Sequence, residues 1–242
     1  MIRTFRDNIL PHLVRAEIHR NFELFRRGNV LNLYFHGVED DGKKINMPYW
    51  MFIKIMSYLY DNYKIIPLNE CLNQQREQCI TISFDDGLGN LIYNAAPFLM
   101  GHSIPATFFV CPGLLGKEGY MTEDEVKLLS EHFDIGSHSM YHRNFRESVG
   151  GLTAHLDLRK SRVRIERIIE KPCTMFCFPW CVYSQEAIEM ALKEYDMIFG
   201  EKPVDKKVIP RYCISNTTTI PVLKSLISKA FITHGIKVEI FY

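Results

Sequence analysis

The feature that most constrains this sequence is a short apolar run that leads directly into two adjacent carboxylates. Residues 81–84 have the composition of a buried strand, and Asp85, Asp86 and Gly87 follow at once. Two like charges at the end of an apolar strand are unfavourable unless a cation or a shared proton lies beside them. An Asp-Asp-Gly run is also an ordinary turn signal, and this alternative stays open on the pattern alone.

A second predicted strand, residues 134–137, ends in the same way and leads into His138 and His142. Histidines four residues apart share one face if the segment forms a helical turn. Taken alone, such a pair is more often found on a helix surface or in a packed core. Both polar elements follow an apolar run, however, and parallel sheets and barrels place their chemistry at such strand ends.

The residue types of these two elements match a metal site. One carboxylate and two histidines form a known ligand set of catalytic zinc, in which the fourth position is left to water. With one aspartate used as a ligand, the second carboxylate is free to act as a base.

The order of elements predicts an α/β protein with a parallel sheet and helices outside it. Predicted strands alternate with predicted helices, and about seven strand–helix units fit the chain. The strands are predicted at 31–35, 65–68, 79–84, 106–110, 134–137, 175–178, 197–199 and 211–214. The helices are predicted at 48–60, 90–100, 122–131, 153–169, 184–195 and 221–229. Polar elements follow four of these strands, and in a barrel all four would meet at one mouth.

Composition and charge narrow the class of protein. The chain has 242 residues, of which 47% are hydrophobic, so it can bury a substantial core. Its net charge of +1 gives no electrostatic reason to expect nucleic acid or an anionic membrane as a partner. No apolar run approaches the length of a transmembrane segment.

The N-terminal part and the cysteines bear on location. Residues 1–30 are predicted to form a helical extension before a domain at 31–242, and recurring charges there leave no signal-peptide core. Seven cysteines is an odd number without a disulfide framework. Cys173, Cys177 and Cys181 recur every fourth residue, but four residues of strand span roughly 13 Å, too far to share one ion. We therefore expect free thiols and a cytoplasmic protein.

The motifs, taken in order, resemble the polysaccharide deacetylase family, the NodB-homology or carbohydrate esterase 4 type. Residues 81–87 resemble its first motif, and 138–142 resemble its His-Ser/Thr-x-x-His motif. Residues 176–181 resemble its aromatic-Pro-aromatic-Gly motif, with Cys181 where glycine is usual. The resemblance runs from about residue 31 to residue 211. It implies a distorted (β/α)7 barrel.

The resemblance implies metal-dependent deacetylation of an N-acetylated sugar. Asp86, His138 and His142 are then expected to hold a divalent ion, with zinc as the expected metal, and Asp85 is expected to act as the general base. A backbone N–H near Pro179 is expected to help to bind the oxyanion.

Two further roles have alternatives. The family supplies its general acid from a late histidine, for which His234 is the candidate here, and His36 after the first strand is the other candidate. The family also uses an arginine to orient the base, and Arg143, Arg146 and Arg211 are all open for this role.

The expected substrate is an N-acetylated sugar or glycan precursor, carried on a nucleotide or lipid if the protein is cytoplasmic. Tyr141, Pro179 and Trp180 are expected to line its subsite, although core packing is the default for aromatic residues. Two other functions remain open. The uncertain acid, the missing motif arginine and Cys181 favour a domain that binds glycan without turnover. The same scaffold could also hydrolyse a small amide.

Overall fold

The structure is a computed structural model that describes residues 26–27, 29–40, 45–73, 77–146, 151–201 and 205–232. The predicted helical extension at 1–30 falls almost entirely outside these residues, and its last part forms the short strand Arg26–Arg27 instead. The candidate acid His234 also lies outside them. The division of the chain at residue 31 therefore stays a prediction.

The described residues form ten strands and seven α-helices. The strands β1 to β10 are Arg26–Arg27, Val30–Phe35, Lys64–Ile65, Cys79–Phe84, Thr107–Val110, Asp134–Ser137, Met175–Cys177, Met197–Gly200, Val208–Pro210 and Tyr212–Cys213. The helices are Tyr49–Asn62, Asn90–Asn94, Ala96–Gly101, Glu123–Leu129, Gly151–Ile169, Gln185–Ala191 and Ile220–Ile232. Two 3-10 turns lie at Leu68–Glu70 and Pro179–Cys181.

The strands form a parallel barrel, as predicted. Strands β2, β4, β5, β6, β7, β8 and β9 follow one another in the sheet, each parallel to the next. Strand β10 follows β9 after the single residue Arg211 and pairs in parallel with β2. The interrupted strand β9–β10 therefore closes a barrel of seven strand positions. Strand β1 pairs antiparallel with the start of β2, and β3 pairs with the start of β4.

Alternation along the strands separates the outer core from the barrel interior. On β2 and β4, every second residue packs against the helices, namely Leu31, Leu33, Phe35, Ile80, Ile82 and Phe84. The residues between them point inward, and Thr81 Oγ1 donates to Asn32 Oδ1 at 2.8 Å inside the barrel. Continued by one step, this alternation turns Asp85 inward at the end of β4.

The barrel interior is apolar towards the start of the strands and polar towards their ends. Its apolar part includes Val30, Cys79, Phe109, Met175, Phe199 and Ile209. A Cβ on Gly136 would lie 2.5 Å from the Phe109 ring, so glycine at this position leaves room for that ring. Above this layer, Asn32 Nδ2 donates to the Pro210 carbonyl at 3.0 Å and fixes the chain just before Arg211.

Most predicted elements are confirmed, and the differences have local causes. Thr122 caps its helix in a capping box with Glu125, and Ser184 caps the next-to-last helix. The helix predicted at 90–100 is two short helices, the second with Pro97 in its first turn, because proline cannot donate the backbone bond of a continuous helix. The strand predicted at 65–68 ends at Ile65, and β9 was not predicted. No helix within the described ranges is long and apolar enough to span a bilayer.

Candidate active site

The two adjacent aspartates at the end of β4 point in different directions. Asp85 continues the inward alternation and is only 2% exposed. Asp86 has φ 74° and Gly87 has φ 72°, so the chain turns sharply at this point. This left-handed turn directs the Asp86 carboxylate towards the segment after β6.

The two histidines come together through a turn and not through the predicted helical turn. Ser139 has φ 63° and His142 has φ 56°, which are left-handed values that an α-helix excludes. The two imidazole ring centroids lie 5.0 Å apart. The prediction that both rings face the same side is therefore confirmed, although the predicted conformation is wrong.

The ligand atoms of Asp86 and the two histidines converge. The Oδ1 atom of Asp86 lies 3.4 Å from Nε2 of His138 and 3.1 Å from Nε2 of His142. His138 Nδ1 lies 2.9 Å from the Cys177 carbonyl, which can only accept, so this bond assigns the proton to Nδ1 and leaves a lone pair on Nε2. Asp86 Oδ1 is buried; burial by itself raises the pKa of Asp86, but the contacts with His138 and His142 outweigh it and hold this pKa well below its usual range.

This arrangement fits a divalent cation. A carboxylate oxygen and an imidazole lone pair that face each other repel unless a positive charge lies between them. The ligand atoms of Asp86, His138 and His142 all lie within 4.8 Å of one another, as a metal site requires. The hydrogen bond from His138 to a backbone carbonyl is the kind of outer contact that orients metal-binding histidines.

A second group of possible ligands is less suitable. Asp85, His138 and Cys177 also lie within 4.8 Å of one another. Burial, however, raises the pKa of the Cys177 thiol well above its usual value, and this thiol contacts the Arg211 guanidinium. A cation placed there would meet a fixed positive charge and a neutral thiol. The group that contains Asp86 is therefore the better candidate for a divalent ion.

Asp85 is held by Arg211, one of the three candidate arginines. Arg211 donates to Asp85 Oδ1 at 2.8 Å and to Oδ2 at 2.7 Å, and it also donates to Ser83 Oγ at 3.0 Å. Burial alone would raise the pKa of Asp85, but the charge of Arg211 outweighs it and holds that pKa below its usual value. Asp85 is therefore an ionised carboxylate with a fixed orientation. Arg143 instead contacts Asp157.

The guanidinium of Arg211 lies between two aromatic rings. Its central carbon is 4.3 Å from the centroid of the Tyr34 ring and 5.0 Å from that of Phe109. The Tyr34 hydroxyl donates to Glu201 at 2.6 Å. Neither Tyr34 nor Glu201 was predicted as a site residue, because a tyrosine inside a strand is indistinguishable from a core residue in sequence. The period-two alternation of β2 is the signal that could have found Tyr34.

His36 lies in the same cluster. It continues the inward side of β2, and its ring centroid is 5.4 Å from that of Tyr34. Burial lowers the pKa of His36, while the charges of Asp85 and Asp86 oppose this effect, so the imidazole lies within electrostatic range of both carboxylates. Its Nδ1 atom is buried and bonds to no described residue. The structure therefore brings His36 to the site, while His234, the other candidate acid, lies outside the described residues.

Two exposed aromatic side chains flank His142. Trp180 is 67% exposed, and its ring meets the His142 ring at a centroid distance of 4.7 Å. Tyr141 is 59% exposed, with the Lys117 ammonium 5.9 Å from its ring centroid. Neither packs in the core, so the core alternative is wrong for both. Pro179, the third expected subsite residue, is buried and begins the 3-10 turn that carries Trp180.

Cys181 occupies a position that explains why glycine is usual there. Its φ is 52°, a left-handed value that costs a residue with a Cβ about 1–2 kcal/mol. Burial raises the pKa of its thiol to about 11. All seven cysteines of the chain are free, as predicted.

The closed parallel barrel and the cluster at its carboxyl-terminal mouth define a barrel protein with a carboxylate–histidine cluster of a kind that can hold a divalent ion. The family model for polysaccharide deacetylases matches residues 72–197, slightly more than half of the chain. The chain belongs to the polysaccharide deacetylase family, and the resemblance read from its motifs is confirmed.

Individual relatives agree with this assignment. YxkH of Bacillus subtilis, named for the same family, is 26% identical over 66% of this chain and 60% of its own length. The poly-beta-1,6-N-acetyl-D-glucosamine N-deacetylase of Staphylococcus aureus is 25% identical over 90% of this chain and 80% of its own. The structure of IcaB from Ammonifex degensii shares the fold, with a TM-score of 0.72 and 16% identity over 85% of this chain and 98% of that one.

Proposed function

We propose that the chain removes the acetyl group from N-acetylated hexosamine units of a glycan, with a divalent ion held by Asp86, His138 and His142. The observation that carries this proposal is that the two adjacent aspartates contact different partners. One converges with two histidines, and the other forms a two-point ion pair with Arg211. A plain turn after a strand needs neither arrangement.

The roles of the side chains follow from these contacts. A divalent ion, when bound, supplies a Lewis acid that polarises the amide carbonyl and acidifies water. Asp85 accepts a proton from the water that attacks the carbonyl carbon. His36 donates a proton to the nitrogen as the C–N bond breaks, so that acetate and a free amine leave. A backbone N–H of the turn beginning at Pro179 is proposed to bind the oxyanion.

Zinc is the proposed ion because imidazole and carboxylate ligands suit it. The names of the relatives support an N-acetylglucosamine polymer as substrate. The names of these relatives do not support the expected nucleotide or lipid carrier. A cytoplasmic location stays part of the proposal, and the free thiols support it.

Two structural features favour turnover over glycan binding alone. Arg211 supplies the arginine that is missing from the third motif, and the left-handed backbone at Cys181 is kept without glycine. The reasons for expecting an inactive binding domain are therefore fewer than the sequence indicated.

The experiment compares metal content with acetate release. Metal-stripped protein is loaded with Zn²⁺ and given N-acetylglucosamine oligomers and, separately, the monosaccharide. We expect one ion per chain and acetate release from the oligomers, with both lost in His138→Ala and His142→Ala. Stoichiometric metal in both variants would overturn the ligand assignment. A loaded wild type that binds oligomers but releases no acetate would favour the binding domain.

A further inference from the structure

The helix Gly151–Ile169 runs behind the histidine turn and places one buried carboxylate against it. Asp157, on this helix, is 5% exposed. The turn itself comprises residues 138–143. No residue of the helix belongs to any motif from which the site was predicted.

Asp157 holds the turn at several points. Its Oδ1 accepts the Met140 backbone N–H at 2.9 Å, and its Oδ2 lies 3.3 Å from Arg143 Nε. The Ser139 hydroxyl accepts the Arg143 backbone N–H at 2.8 Å and also bonds to the Asp157 carboxylate. One side chain therefore contacts Ser139 and Met140, which lie between the two histidines, and Arg143, which follows His142.

The turn needs such support because its backbone is strained. Both Ser139 and His142 have positive φ values, which residues with a Cβ adopt only when their surroundings enforce them. On the opposite side, two hydrogen bonds to backbone carbonyls hold the turn. The Gly113 N–H donates to the Met140 carbonyl, and the Cys111 thiol donates to the His138 carbonyl. Asp157 is the acidic side chain among these contacts, and it forms an ion pair with Arg143.

We propose that Asp157 is a positioning residue that sets the metal affinity of the site. By fixing the turn, it holds Nε2 of His138 and of His142 towards Asp86 before any ion binds. The inference rests on the proposed metal-dependent function. It adds a residue that touches neither the ion nor the substrate.

The test compares Asp157→Ala and Asp157→Asn with a matched control, Ser161→Ala. Ser161 is buried on the same helix one turn further on, and its hydroxyl bonds at 2.7 Å to Ser137 in β6 instead of to the turn. Each metal-stripped protein is titrated with Zn²⁺ against a competing chelator, and with Co²⁺ to record the visible spectrum. Thermal unfolding of the metal-free forms shows that each variant is folded.

We expect Asp157→Ala to bind Zn²⁺ about 10–100-fold more weakly than wild type, the usual cost of losing an outer contact of a metal site. The Zn²⁺ affinity of Asp157→Asn should lie between those of wild type and Asp157→Ala. Its amide oxygen still accepts the Met140 N–H, but it carries no charge to pair with Arg143. Ser161→Ala should bind Zn²⁺ like wild type. If Asp157→Ala does not fold, Asp157→Asn carries the test.

The inference would be overturned if the Asp157 variants bound Zn²⁺ as tightly as wild type. It would also be overturned if Ser161→Ala lost as much Zn²⁺ affinity as the Asp157 variants. A wild type that binds no divalent ion would overturn both the inference and the proposed function. A wild type that binds Zn²⁺ through this turn but releases no acetate would leave the inference standing and remove the proposed activity alone.

Discussion

Arg211 binds both carboxylate oxygens of Asp85 from the residue that joins β9 to β10. Both side chains are buried, so each is the charge partner that keeps the other ionised inside the barrel. The ion pair links the proposed general base to the point where the barrel closes. Removing either partner should therefore affect both folding and catalysis.

Arg211→Met is expected to lower the free energy of unfolding by about 3–5 kcal/mol, because it leaves Asp85 buried without a cation. The double variant Arg211→Met with Asp85→Asn should recover part of this loss, since no unpaired charge remains. Urea unfolding of the four proteins in the cycle measures the coupling. Additive losses would show that the ion pair contributes nothing of its own.

Asp85→Asn and Asp86→Asn are expected to differ in metal content. Asp85→Asn should keep the ion but lose about 10²–10⁴-fold in rate, because an amide cannot accept the proton. It should also unfold more easily, since Arg211 keeps its buried charge. Asp86→Asn should lose metal and activity together. Bound metal and acetate release, measured side by side, decide the assignment, and the reverse pattern would exchange the two roles.

His36→Gln is expected to keep the ion and to lose about 10²–10⁴-fold in kcat, because glutamine has no proton to donate as an acid. His234→Gln is the matched comparison, since both histidines were candidates for the same role. Metal content and kcat are measured for both variants. A large loss in His234→Gln with normal rates in His36→Gln would assign the acid to His234.

Trp180→Ala is expected to raise KM for N-acetylglucosamine oligomers by about 2–10-fold, the equivalent of an aromatic contact of roughly 0.5–1.5 kcal/mol. Its exposed ring should leave kcat and unfolding almost unchanged. Tyr60→Ala is the control, an exposed aromatic near the amino-terminal ends of the strands. An equal rise in KM for Tyr60→Ala would contradict a subsite at Trp180.

The cysteines provide a prediction about pH. Burial raises the thiol pKa of Cys173 and Cys213 to about 12 and that of Cys181 to about 11. The reactive thiolate forms only as pH approaches these values, so alkylation of the native protein should be slow at pH 8 and should accelerate towards pH 11. In denaturant all seven thiols should react at pH 8. Rapid native labelling at pH 8, measured by mass spectrometry, would contradict the raised values.

The sequence predicted the barrel and the motif residues well, for identifiable reasons. Strands β2 and β4 are short, apolar and regularly alternating. Asp85, Asp86 and His138 follow their strands directly, and His142 lies in the turn after β6. Such local patterns indicate which way each side chain points, even when the rest of the fold is unknown.

The partners of these residues could not be predicted with the same certainty. Arg211 is 126 positions from Asp85 in the chain, and only barrel closure brings the two together. Asp157 lies on a helix whose polar residues all look alike in sequence. The conformation of the histidine turn depends on contacts from β5 and from that helix, so its spacing alone indicated a helical turn that does not form.

Barrel closure at Arg211 also means that the proposed general base gains its ion-pair partner only late in synthesis, once residue 211 has been made. A nascent chain that ends before residue 211 already contains Asp85, Asp86 and the paired strands β2 and β4. It lacks the Arg211 guanidinium, which pairs with Asp85, and strand β10. In such a chain Asp85 would stay solvated or take up a proton, and neither form is the oriented base. Chains that end before residue 211 would therefore lack the proposed hydrolytic activity, even if the proposed metal ligands were already in place.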